Sequence, residues 1–346
     1  MHETDALLEL GWRGFFAAQA DPAAALRPAR VLHVHRGHIH VAHAAGEESI
    51  PVSHRVAGLH ITVGDWVLLE ANEPAVSDRL QRQSLFRRRA AGTASGIQRI
   101  AANVDTLFIV TSANRDFNPA RLERYLAIAG EAGVFPVIVI TKADLAEAGI
   151  DFPGVARGLS PGLLVELLDA RDPSQVEVLR PWCGPGQTVA LLGSSGVGKS
   201  TLINTLAGGN QATRPAREDD QRGRHTTTSR SMHRLPQGGW LVDTPGMREL
   251  QLVDVGDALD DVFAEIATLA QQCRFADCAH ESEPGCAVRR AVDDGRLAPA
   301  RLRRYRKLHA EDRRNTETLA ERRARDKDFG KMVRSVMAHK KREKGG

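Results

Sequence analysis

The stretch Gly193-Ser194-Ser195-Gly196-Val197-Gly198-Lys199-Ser200 constrains this chain more than any other. It fits G-x-x-x-x-G-K-[ST] and lies between an apolar run, GQTVALLG, and a helical one, KSTLINTLAG. A strand feeding a glycine-rich loop and then a helix opens an α/β nucleotide-binding fold. The glycines let successive backbone N–H groups turn inward around phosphate oxygens, and the helix N-terminus adds the positive end of its dipole. Lys199 is expected to reach the β- and γ-phosphates and the Ser200 hydroxyl to ligate Mg²⁺, with Thr201 carrying the loop into the helix.

A second motif, Thr141-Lys142-Ala143-Asp144, ends the buried-strand run VFPVIVIT. An Asp144 carboxylate there can accept from both N1–H and N2–H₂ of guanine, donors that adenine lacks, while Lys142 lays its stem along the base. Asp169 and Ala170, after LLVELLDA, are placed for a backbone contact to the guanine oxygen, although serine or threonine is commoner than Asp at the first position. The base reader ordinarily follows the phosphate loop; here it precedes it. VDTLFIVTS, VFPVIVIT, LLVELLDA and GQTVALLG, with helices such as NPARLERYLAIAGEAG between them, predict a parallel sheet covered on both faces. Base reader, phosphate loop and switches in that order make a circularly permuted GTPase domain. Such rewiring leaves a sheet intact because termini in compact domains often lie close together.

Downstream, WLVDTPGMREL puts Asp243-Thr244-Pro245-Gly246 at a strand end. Asp243 is expected to hold Mg²⁺ through a water and the Gly246 N–H to meet the γ-phosphate. Between the two motifs runs REDDQRGRHTTTSRSM, polar and without period. One of Thr226, Thr227 and Thr228 can complete the Mg²⁺ shell, and Thr227 is our choice. Met247 stands where many GTPases carry a glutamine that orients the attacking water. His225, beside the threonines, is the residue we expect to hold or deprotonate that water instead.

The N-terminal third has a different texture. Residues 1–29 read as a weakly structured leader with one short amphipathic helix. Residues 30–99 hold short alternating strands and turns, ARVLHVHRGHIHVAH and HITVGDWVLLE among them, which suggest an OB-fold β-barrel closed by the basic stretch RLQRQSLFRRRAAGTASGIQR. Its histidines at 33, 35, 38, 40 and 43 read as an exposed strand face able to touch phosphates.

After the switches, GDALDDVFAEIATLAQQC reads as a helix, followed by Cys273, Cys278, His280 and Cys286 in the spacing C-x₄-C-x-H-x₅-C. Three thiolates and one imidazole suit a closed, structural Zn²⁺ shell. Cys183 is left over as a core residue. Residues 287–346 carry a net charge of +11 and the remainder −7, so a basic tail on an acidic body points to a polyanionic partner such as RNA. No apolar run approaches the length of a membrane span, and the acid-bearing N-terminus lacks a signal-peptide pattern. We therefore expect a cytoplasmic monomer that binds GTP and GDP and no membrane.

At this point the chain resembles the ribosome small subunit-dependent GTPase A family of circularly permuted bacterial GTPases. The resemblance rests on the strand-rich N-terminal region, DFNPARLERYL, TKAD, GSSGVGKST, GRHTTT, DTPG and the Cys/His cluster, all in the family's order. It implies an OB-fold, a permuted GTPase domain and a zinc-binding helical domain. It also implies a role late in maturation of the small (30S) subunit, contact with its 16S rRNA, and GTP hydrolysis stimulated by that subunit. The family, too, has a histidine in the GRHTTT motif. Thr141 departs from the commoner asparagine but can still hydrogen-bond to the phosphate loop. The implied divisions are a leader (1–29), an RNA-binding OB-fold (30–99), the permuted GTPase domain (100–256), a helical zinc domain (257–312) and a basic tail (313–346). Two other readings stay open on the residues alone: a P-loop ATPase or kinase, against which Asp144 argues, and an RNA-binding module whose nucleotide is only structural.

Overall fold

All seven residues of Thr106–Ser112 are buried, as are all five of Thr188–Leu192 and the last five of Phe135–Thr141. Strands hidden on both faces belong to a parallel sheet with helices on either side. The computed structural model describes residues 3–89, 97–208, 230–243, 247, 250 and 252–316. Its strands are β1 (Leu26–Val34), β2 (His38–His43), β3 (Gly46–Pro51), β4 (Trp66–Glu70), β5 (Val76–Arg79), β6 (Leu85–Arg89), β7 (Ile97–Ala102), β8 (Thr106–Ser112), β9 (Phe135–Thr141), β10 (Leu164–Leu167), β11 (Thr188–Leu192), β12 (Arg230–Arg234) and β13 (Trp240–Asp243). Its helices are α1 (Glu3–Glu9), α2 (Gly14–Ala17), α3 (His54–Gly58), α4 (Pro119–Ala132), α5 (Phe152–Arg157), α6 (Pro173–Val176), α7 (Lys199–Leu206), α8 (Gly256–Val262), α9 (Ala264–Ala270), α10 (Ala287–Asp293) and α11 (Pro299–Thr316).

The nucleotide-binding part has the strand order β10-β9-β8-β11-β13-β12, parallel throughout except for the antiparallel pair β12–β13. The chain enters this sheet at β8 and reaches β11, whose end opens the glycine loop, only after building β9 and β10. Side chains alternate across the sheet. Leu107 and Ile109 pack with Leu122, Leu126, Phe152 and Leu259, whereas Phe108 and Val110 pack with Val176, Leu202 and Leu206. Helices α4, α5 and α8 thus cover one face, and α6 and α7 the other.

The N-terminal region is β-rich with OB-type connections. β1 pairs with β2 and β4, β2 with β3, and β4 with β5, while α3 bridges β3 to β4. Ala29, Val31, Ile39, Val41, Ile50, Val67, Leu69 and Val76 point inward with Val56 of α3 to make its own core. The stretch expected to close it forms a separate antiparallel ribbon, β6–β7. Phe86 of that ribbon is buried, and Arg87 pairs with Glu131 of α4. The far end of β1 also bonds β12, pairing His33 with Ser231 and Val34 with Arg230, so the two regions share one sheet.

Three expectations are revised. The leader is packed rather than weakly structured: Trp12 and Phe16 lie 4.8 Å and 5.8 Å from the Trp66 ring, and Arg13 donates to Asp105 at 2.6 Å. Two large aromatics bury enough area to dock a short segment whose periodicity carries little signal. Buried Arg30 ties it in by donating to Leu10 O, to Asn103 O at 3.0 Å and to Thr188 Oγ1 at 2.8 Å. Burial lowers that guanidinium to about 10 despite Asp105 nearby. The single helix expected after the switches breaks at Phe263 (φ −111°, ψ 41°), whose ring lies fully buried 4.1 Å below the Arg301 guanidinium. Finally, α11 runs through Thr316, past the expected start of the tail. Its end holds the segment that follows the switch: Asp312 Oδ1 accepts from Val255 N at 3.1 Å, Thr316 Oγ1 from Asp254 N at 3.0 Å, and Asn315 donates to Leu252 O at 2.9 Å. No described helix is long and apolar enough to cross a membrane.

Candidate nucleotide site and metal cluster

The phosphate loop is closed by close backbone approach. A Cβ on Gly193 would lie 2.3 Å from Val110 O, so that position accepts only glycine. Gly198 caps α7 in the left-handed region at φ +92°, where side chains are strained. Lys199 is nearly buried, and its Nζ folds back across the loop to donate to Gly193 O at 2.8 Å and to Ser194 O. Ser200 and Thr201 occupy the first turn of α7.

Thr141, the last residue of β9, meets this loop directly. Its hydroxyl lies 2.6 Å from Val197 O and 3.0 Å from Thr111 O, so a threonine makes the link across to the phosphate loop. Lys142 then turns left-handed (φ 58°) and Asp144 sits in a short 3-10 turn. The backbone of Ala143 donates to Leu168 O at 3.3 Å, which draws the Asp169-Ala170 loop alongside. Ala170 O accepts from Thr205 Oγ1 of α7 at 2.7 Å. Thus Thr141, Lys142, Ala143, Asp144, Asp169 and Ala170 gather with residues 193–201 at the edge where β9, β10 and β11 end. Ligands of open α/β sheets bind at that edge.

Two arginines went unnoticed in the sequence. Arg171 Nη2 reaches Asp144 Oδ2 and Asp169 Oδ2, each at 2.8 Å. The Arg171 side chain, and then its backbone N–H, hold the Asp169 carboxyl below the usual range, while Asp169 first and Asp144 next push Arg171 upward. Arg121, in the first turn of α4 behind the Asn118 cap, donates to Ser194 Oγ at 2.7 Å. Nothing in periodicity marks either residue; only adjacency to DA and to the NP helix start could have raised them.

Asp243 ends β13 beside the glycine-loop strand, exposed, with Ser231 Oγ 3.4 Å from its backbone oxygen. His225, Thr226, Thr227, Thr228 and Gly246 lie outside the described residues, as does the chain beyond Thr316. Met247 is 2% exposed and packs in the main core, so its thioether is turned inward.

The ligand atoms of Cys273, Cys278, His280 and Cys286 all lie within 4.8 Å of one another. Cys286 Sγ is 3.4 Å from His280 Nδ1, and Cys273 Sγ is 3.7 Å from that nitrogen and 3.9 Å from Cys286 Sγ. Metal–ligand bonds of about 2.0–2.3 Å in a tetrahedron require edges close to these. Burial lowers the His280 pKa, against Glu283, favouring the neutral imidazole that can ligate. Glu283 knots the loop by accepting from the backbones of Ala279, Glu281 and Ser282 at 2.7–2.9 Å. Its own backbone N–H first, and then those bonds, hold its carboxyl down at about 2. Cys183 stands apart in the core, where burial pushes its thiol to about 12.

On β1 and β2, histidine rings cluster with one from β12. His33 lies 5.7 Å from His40 and 6.0 Å from His233, and His35 lies 4.5 Å from His38.

Joining the far end of β13 to the start of β8 would restore the usual reading order on an unchanged sheet, so the molecule is a circularly permuted P-loop GTPase. The sequence profile of the RsgA GTPase family matches residues 79–253. The small ribosomal subunit biogenesis GTPase RsgA 2 of Vibrio parahaemolyticus is 48% identical over 339 residues, covering 97% of this chain and 94% of that protein. RsgA of Mesorhizobium japonicum is 50% identical over 315 residues, covering 90% and 91%. This chain belongs to the RsgA GTPase family and is a GTP hydrolase. Among solved structures, YjeQ from Thermotoga maritima superposes with a TM-score of 0.63 at 27% identity, over 83% of this chain and 98% of that one. YloQ, a circularly permuted GTPase, shares the fold at a TM-score of 0.56 and 22% identity, over 86% and 100%.

Proposed function

We propose that this protein is a cytoplasmic biogenesis factor for the small ribosomal subunit, contacting 16S rRNA and hydrolysing GTP when the subunit is bound. The observation that carries this reading is similarity over 97% of the chain, at 48% identity, to a small-subunit biogenesis GTPase, supported by the Thr141 hydroxyl docked on Val197 O of the glycine loop. Asp144, with Lys142 and Ala143, reads guanine; Asp169 and Ala170 flank the base; residues 193–201 hold the phosphates. Ser200, Thr227 and Asp243 are the Mg²⁺ residues and the Gly246 N–H meets the γ-phosphate. Mg²⁺, when bound, neutralises charge between the phosphates. With Met247 in the core, water placement falls to His225, brought over the γ-phosphate when the subunit is bound; stimulation is then a positioning effect. The Cys₃His cluster holds one structural Zn²⁺, and the β-rich region and basic tail grip RNA at two places on one particle, as a monomer. GTP turnover measured with and without purified small subunits tests the whole reading. Slow turnover alone and a large rise with subunits are expected. A flat response would remove stimulation by the subunit from the reading.

A further inference from the structure

Arg171 holds the very carboxylate assigned to the base. Its Nη2 donates to Asp144 Oδ2 at 2.8 Å. The residue is also tied to its own loop, where Nε reaches Asp169 Oδ1 at 3.0 Å, the same Nη2 reaches Asp169 Oδ2 at 2.8 Å, and the backbone N–H reaches Asp169 Oδ1 at 2.9 Å. Asp169 is itself steadied by its backbone N–H donating to Gln175 Oε1 at 2.9 Å. The chemistry of the two claimants is alike. Guanine offers a carboxylate neighbouring N–H donors, N1–H and N2–H₂; a guanidinium offers the same kind of planar N–H array. One Asp144 carboxylate cannot serve both in full.

We infer that Arg171 is a built-in competitor of guanine: it occupies Asp144 when the base site is empty, and the incoming base must displace it. This rests on Asp144 being the base reader. It also gives the unusual Asp169 a role, since serine or threonine there could not clamp the guanidinium in place. Without Arg171 the empty site would leave Asp144 and Asp169 facing each other uncompensated; with it, both are paired. The displacement is feasible because the Arg171 side chain is 65% exposed and the Asp144 side chain 36%. Being exposed, the contact is weak enough to yield to a nucleotide and strong enough to speed its departure. The consequence is modest affinity for GDP and GTP alike, with the pocket refilled by the protein's own side chain as the base leaves.

The test is calorimetric binding of GDP to the full-length protein, with Arg171→Ala, Asp144→Asn and the double variant. An exposed, solvent-screened ion pair is weak, so Arg171→Ala should tighten GDP only about 1.4- to 5-fold and slow its release correspondingly. Because the competitor is ionic, the gap between parent and variant should narrow as salt rises. In the Asp144→Asn background the tightening should vanish. Unchanged or weaker GDP binding by Arg171→Ala, with Asp144→Asn still impaired, would overturn the competitor role and leave the base reader standing. Unchanged GDP binding by Asp144→Asn itself would instead remove the base-reading assignment, and the competitor with it.

Discussion

Replacing Glu123 by alanine strikes the contact that fastens α4 to the C-terminal helix. Its carboxylate is fully buried and accepts from Arg301 Nη1 at 2.6 Å and from Arg304 Nε at 2.7 and 2.8 Å. Removing one partner of a buried pair costs about 3–5 kcal/mol, because the remaining charge stays buried without compensation. Here Arg301 keeps Glu265 Oε1 at 2.7 Å, Val262 O at 2.7 Å, Leu159 O at 3.0 Å and its stack on Phe263. Those partners place the loss at the lower end, about 3 kcal/mol, or somewhat over a hundredfold in the local opening equilibrium. A chain of several packed regions has no single unfolding free energy, so the measurement must be local. Hydrogen exchange of the α11 amides around Leu302 and Leu308 reads it directly. Replacing Glu123 and Arg301 together by methionine should restore part of the protection: the buried Arg301 charge is gone, and Arg304, which loses the same carboxylate, is partly exposed. Exchange in α11 rising less than about threefold in Glu123→Ala, the scale of a surface pair, would refute the reasoning.

Four further outcomes are expected. Chelation, or Cys278→Ser, should loosen residues 273–286 while leaving nucleotide affinity intact, and metal analysis of freshly purified protein should return one zinc per chain. His225→Ala should abolish most subunit-stimulated turnover, on the order of a hundredfold, with GTP affinity and subunit binding kept; equal stimulation would remove its role. Deleting residues 317–346, which spares the α11 clamp on Leu252 and Val255, should weaken subunit binding most at low salt and leave GTP binding unchanged in a filter assay. Burial, and then His233, His40 and His35, push His33 below its ordinary value. The fold therefore favours the neutral ring: this contribution is complete above about pH 6.5 and is lost as pH falls below it. His33→Gln should flatten that limb in the hydrogen-exchange protection of the β1 amides, corrected for intrinsic rate, taken against pH.

The sheet and the phosphate loop were legible because apolar runs and glycine spacing are local signals. VDTLFIVTS needs no partner to read as a buried strand, and the order of TKAD before the loop reveals the permutation. What escaped was written in pairs of residues far apart. Trp12 and Phe16 dock the leader only because Trp66 awaits them. Phe263 breaks a helix of good propensity because Arg301, on another helix, covers its ring. Arg171 looked like any surface arginine until Asp144 and Asp169 were brought beside it. The Cys₃His group was readable for the opposite reason: its four donors fall within fourteen residues of chain.

Strand β1 has a consequence for anyone recombining members of the family. Such proteins invite chimeras cut at a linker, with one N-terminal part traded for another. Here the seam is not a linker. His33 and Val34 complete a ladder with Ser231 and Arg230, and Arg30 reaches Leu10, Asn103 and Thr188 from the same strand. A graft exchanged at residue 100 would bring a foreign β1 against a resident β12 and a foreign arginine against a resident Thr188. The interchangeable part is therefore discontinuous: residues 3–105 must travel with Thr188 and the β12 edge, or the transplanted part arrives with its hydrogen bonds addressed to residues that are not there.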